Sequence, residues 1–64
     1  MKVKLPSGKT EEMNLGPITV EELLRELKIS QGEVLVSRDG HIIPVDAVLN
    51  NGDDIRIMQV VFGG

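Results

Sequence analysis

Ile18-Thr19-Val20-Glu21-Glu22-Leu23-Leu24-Arg25-Glu26-Leu27 carries the clearest local signal in the chain, and it starts a helix. Thr19 is placed to cap it. Its hydroxyl accepts from the Glu22 amide while the Glu22 carboxylate reaches back to the Thr19 amide, and Ile18 with Leu23 forms a hydrophobic staple across the junction. Val20, Leu23, Leu24 and Leu27 follow the i, i+3, i+4, i+7 rhythm and make one apolar stripe, leaving Glu21, Glu22, Arg25, Glu26 and Lys28 in water. A stripe of that width on a helix of about nine or ten residues is a face packed on a sheet. Glu21 and Glu22 do not form an acid/base pair, because adjacent helical residues diverge. They suit the positive end of the helix dipole instead.

A single amphipathic helix needs a sheet, and both flanks supply strands. Met1-Lys2-Val3-Lys4-Leu5 alternates with period two, so Met1, Val3 and Leu5 face inward. Pro6-Ser7-Gly8-Lys9 has turn chemistry, and Thr10 to Leu15 returns antiparallel with Met13 and Leu15 on the core side. Lys2, Lys4, Lys9, Glu11 and Glu12 then form a solvated charged face worth little energy. Beyond the helix, Ile29 to Gly32 turns the chain and Glu33 to Arg38 is a strand, with Val34 and Val36 opposite Leu35 and Ser37. Its run of three apolar residues places it inside the sheet. Asp39-Gly40 is a two-residue hairpin turn into His41-Ile42-Ile43, an edge segment stopped by Pro44. His41, beside an exposed turn, takes no role.

Val45 to Leu49 is a short connection whose Val45, Val48 and Leu49 plug the end of the core. Asn50-Asn51-Gly52-Asp53 is a turn, since Asn and Gly accept positive φ. The last strand alternates from Asp54: Ile55 and Ile57 on one face, Arg56, Met58, Val60 and Phe62 on the other. With Ile55 and Ile57 on the helix, the opposite stripe points to solvent and is expected to be a partner interface, Phe62 its anchor and Arg56 at its head.

Composition narrows the function. The chain has 64 residues and no cysteine, so disulfides, thiolate metal sites and cysteine nucleophiles are excluded, and any thioester or persulfide step uses another protein's thiol. One histidine builds neither a metal site nor a triad, so the chain is not expected to be an enzyme. Seven basic against ten acidic residues give a net charge of −3 without a Lys/Arg cluster. This disfavours nucleic acid and favours protein partners, preferably basic ones. No apolar run reaches membrane-spanning length and nothing resembles a signal peptide, so a cytoplasmic location is expected.

The sequence finishes Val60-Val61-Phe62-Gly63-Gly64. Gly63-Gly64 can lie extended in a channel too narrow for other residues. A terminal carboxylate, with a pKa near ~3.5, is ionised at neutral pH and can attack the α-phosphate of a nucleotide to become an acyl-adenylate. A chain of that kind is a substrate, and the expected division is a domain over 1–62 and a flexible tail over 63–64.

The order strand, strand, helix, strand, short strand, strand fits one mixed sheet of roughly four to five strands around one helix, in the α+β class. The first and last strands pair parallel in its middle, which is the β-grasp, or ubiquitin-like, arrangement. Over nearly the whole chain the sequence resembles the ThiS/MoaD-type sulfur carriers. The resemblance lies in the basic-alternating first strand, in Thr19-Val20-Glu21-Glu22-Leu23-Leu24, and in Val34-Leu35-Val36 leading to Asp39-Gly40. It is closest in Leu49-Asn50-Asn51-Gly52-Asp53-Asp54-Ile55-Arg56-Ile57 running to Gly63-Gly64.

The resemblance implies that an E1-like enzyme, using ATP, adenylates Gly64 and that a sulfur donor protein converts it to a thiocarboxylate for a downstream sulfur-accepting enzyme. Gly63 is the channel-threading neighbour, and no cofactor is bound by the chain itself. Its shortness and its single aromatic, Phe62, lean toward a thiamine-type role over a molybdopterin one. Two alternatives stay open. Related members also end in Gly-Gly and are joined to lysines of other proteins as modifiers, which here would run through Gly64, and regulatory β-grasp modules similar to TGS domains share the outline of the strands and the capped helix.

Overall fold

A computed structural model of the chain describes residues 1–60. The helix α1 runs Val20–Glu26 and starts as its sequence dictates. The Glu22 amide donates to Thr19 Oγ1 at 3.2 Å and the Thr19 amide donates to Glu22 Oε1 at 3.1 Å, closing the reciprocal cap. Its end is shorter than the stripe suggests. Leu27 is the C-cap, Lys28 turns left-handed at φ 58, and the amides of Lys28 and Ile29 donate to the carbonyls of Arg25 and Leu24. Those two bonds satisfy carbonyls of the last turn in a pattern that usually recruits glycine at Lys28's position.

Seven strands accompany the helix among the described residues: β1 Lys2–Lys4, β2 Thr10–Glu12, β3 Ile18–Thr19, β4 Val34–Arg38, β5 His41–Ile43, β6 Val48–Leu49 and β7 Asp54–Gln59. Five form one mixed sheet in the order β2-β1-β7-β4-β5. β1 and β7 are parallel at its centre, and the remaining pairs are antiparallel. This is the ubiquitin-like β-grasp. The β4–β5 hairpin turns on Asp39 and Gly40, both at positive φ (51 and 84), the geometry that a two-residue turn matching strand twist requires.

The core lies between α1 and the sheet's inner face: Met1, Val3, Val20, Leu23, Leu24, Val36, Leu49, Ile55 and Ile57 are buried, with Leu5, Met13 and Leu27 packed against them. Three expectations are corrected. Leu15 is 41% exposed, because β2 ends at Glu12 and the inward alternation stops at Met13. Val45 and Val48 are 39% and 51% exposed while Leu49 alone is fully buried. Glu11 stands opposite Val3 on the inner side at the sheet edge, half-buried, so the charged outer face is shared by Lys2 with Glu12 and by Lys4 with Thr10.

A second, two-stranded sheet joins β3 to β6 and ties the last crossover to the helix start. The Val20 and Glu21 amides donate to the carbonyls of Ala47 and Val45, so two orphan donors of the first turn find partners in that connection. Nearby, Gly16 approaches the Asn50–Asn51 backbone so closely that a Cβ there would lie 2.7 Å from the Asn51 nitrogen, and the Gly16 amide donates to Asn51 Oδ1 at 3.0 Å.

Candidate functional site

The last strand is held at its start, along both sides and at its end. At the start, Asp53 Oδ2 accepts from the Asn50 amide at 2.8 Å and lies 3.6 Å from Arg38 Nη1, which also donates to the Val48 carbonyl at 2.7 Å. Along its length β7 is bonded to β1 and to β4. At its end the Val60 amide donates to the Glu33 carbonyl at 2.9 Å. Phe62, Gly63 and Gly64 lie outside the described residues, as does the boundary expected between a 1–62 domain and a 63–64 tail.

With Ile55 and Ile57 buried under α1, period two turns Asp54, Arg56 and Met58 to the outer face. Strand register then sorts that face into rows across the sheet. The first holds Glu12, Lys2 and Asp54. The second holds Thr10, Lys4, Arg56, Ser37 and Ile42, and the third Met58 and Leu35. Carboxylates are therefore confined to the row farthest from Val60, where they flank Lys2; Lys4 and Arg56 share the middle row with Ile42 at its end, and Met58 with Leu35 lies nearest the exit of the chain.

The expected stripe is present in altered form. Arg56 is exposed, but Met58 and Val60 are half-buried where open exposure was expected, since each sits beside a neighbouring segment: Met58 opposite Leu35, Val60 against Glu33. The Val45 to Leu49 connection does not cover them, because it is bonded to the start of α1 on the other side of the sheet. The most exposed apolar groups of the outer face are Leu35 at 48% and Ile42 at 56%. Sequence reasoning placed Leu35 opposite Val34 and Val36 without joining it to Met58. The alternation carried through the Asp39-Gly40 turn is the signal that adds Ile42.

Among the described residues no group of His, Asp and Glu is gathered to hold a metal ion, and no helix is long and apolar enough to cross a membrane. The Thr19 amide, and then the Thr19 hydroxyl, hold the Glu22 carboxyl below its ordinary range, with a smaller contribution from Arg25. That group caps α1, away from the outer face.

The family model of small archaeal modifier protein 2 matches residues 1–61. Among solved structures, the thiamine biosynthesis protein ThiS from Geobacter metallireducens superposes with a TM-score of 0.68 at 27% identity, covering 100% of both chains. A search of curated proteins gives no match.

Proposed function

The chain belongs to the small archaeal modifier protein 2 family, in the ubiquitin-like company of ThiS/MoaD-type sulfur carriers, and from that premise we propose that it is a carrier whose terminal glycine is the reacting residue. The observation that carries this reading is the end-to-end likeness to a thiamine biosynthesis protein. The Gly64 carboxylate attacks the α-phosphate of ATP held by an E1-like enzyme, and pyrophosphate leaves. The outer sulfur of a donor protein's persulfide then attacks the acyl carbon and AMP leaves; a second thiol of the partner proteins reduces the resulting acyl disulfide, so that the thiocarboxylate departs and a disulfide remains between the two partner thiols. Gly63 threads the enzyme's channel, and Arg56, Met58, Val60 and Phe62, joined by Leu35 and Ile42, form the surface that docks on the enzyme. Rigid anchoring of β7 suits this division, because the domain supplies binding while its terminus supplies the reacting atom.

The name of the matching family favours a second reading, in which the activated Gly64 is joined to a lysine of another protein. Neither likeness points to a regulatory module. Intact mass after incubation with ATP and cell extract separates the readings. Replacement of oxygen by sulfur adds about 16 Da, whereas conjugation gives a far larger isopeptide-linked species. Deletion of Gly64 is expected to abolish both products and leave the fold intact. A carrier still activated after that deletion would remove the terminal residue from the mechanism.

A further inference from the structure

Lys4 and Arg56 are direct partners in the parallel β1–β7 pair, with Ser37 next in the same row, and the two cations stand side by side on the outer face. Among the described residues neither has a carboxylate within ion-pairing distance; the ion pairs lie at Glu12, at Arg25–Glu21 and at Arg38–Asp53. Adjacent strands are about 4.8 Å apart, so like charges in one row repel, and sheets usually place opposite charges there. The same row passes into Ile42, and the neighbouring row is Leu35 with Met58.

We propose that this row recognises an acidic surface: two carboxylates of the activating enzyme, set beside an apolar residue that meets Leu35 and Met58. The proposal rests on the reading that the outer face docks that enzyme. It reverses what the net charge of −3 suggests: five of the ten acids lie on α1 (Glu21, Glu22, Glu26) and in connections (Glu33, Asp46), and the outer-face acids Glu12 and Asp54 flank Lys2 in the neighbouring row, leaving Lys4 and Arg56 side by side. A partner approaching the exit of β7 meets apolar side chains and then two cations. Its carboxylates gain a fork-shaped donor from Arg56 and a point charge from Lys4, and they steer the encounter.

The test is a titration of the full chain with the E1-like enzyme of the same organism at low and at high salt. Wild-type affinity is expected to fall as salt rises. Lys4→Glu and Arg56→Glu are each expected to weaken binding at least about fivefold at low salt and to flatten that dependence. Lys28→Glu, the same charge change at the end of α1, is expected to leave it unchanged, and a denaturation midpoint on each variant confirms the fold. Unchanged or tighter binding by both row variants, while Leu35→Ala still weakens it, overturns the acidic partner and leaves the carrier reading standing. A wild-type chain that neither binds the enzyme nor gains sulfur mass overturns both.

Discussion

Glu22 holds two donors with one carboxylate oxygen: Oε1 accepts from the Thr19 amide at 3.1 Å and from the Thr19 hydroxyl at 2.9 Å. Both bonds favour the ionised form, and the pKa is lowered accordingly, the amide contributing most. A carboxyl with a folded pKa below its unfolded value of about 4.3 contributes stability that is complete above that pH. The contribution is lost as pH falls through the folded value. Glu22→Gln keeps an oxygen acceptor but cannot titrate, so its stability is expected to be flatter than wild type below about pH 4.3. Chemical denaturation across that window checks this; parallel acid profiles for the two proteins would assign the titration elsewhere. Thr19→Ala, which removes the hydroxyl from both sides of the cap, is expected to cost about 1 kcal/mol at neutral pH, where Glu22 is ionised.

At the scale of the element, β7 and β4 are each divided between two environments by period two. Ile57 and Val36 face each other in the core, and one step along Met58 and Leu35 face each other outside it. Ile57→Ala is expected to destabilise by about 2–5 kcal/mol. Leu35→Ala should change stability by no more than about 0.5 kcal/mol yet weaken enzyme binding by about 1 kcal/mol. Denaturation and a binding titration on both variants decide the matter, and a large stability loss for Leu35→Ala would return that residue to the core. Met58, half-buried, falls between the two.

The same elements explain what could be read from the sequence. The helix cap, the Asp39-Gly40 turn and the alternation of β7 from Ile55 to Met58 follow from residue type and local period, and each is where the sequence put it. The β3–β6 pair leaves no local signal because two residues are too few to carry a rhythm, and the exposure of Leu15 follows from a strand that stops early. On the outer face, the positions of Arg56 and Met58 are legible from alternation alone. The rows joining them to Lys4, Leu35 and Ile42 depend on register between distant strands, which no local pattern encodes.

Among the described residues the helix, the five-stranded sheet and the β3–β6 pair share a core of nine buried apolar residues, and no disulfide or metal cluster supplements it there. Domains of this size usually hold no more than about 3–5 kcal/mol of net stability. Leu49 belongs to that core although its strand is two residues long: it is fully buried, it pairs with Ile18, and its connection accepts the first amides of α1 through Val45 and Ala47. Truncating it therefore opens a cavity where sheet, crossover and helix start meet. Leu49→Ala is expected to cost about 2–5 kcal/mol, comparable with the whole stability, and to lower the thermal midpoint by at least about 10 °C. Because β1, β7 and β4 share that core, binding of the activating enzyme should fall with the folded fraction, whereas Leu35→Ala lowers binding without unfolding. Thermal denaturation of Leu49→Ala followed by circular dichroism tests the coupling; a midpoint within a few degrees of wild type would mean that the β3–β6 pair hangs on the domain without holding it together.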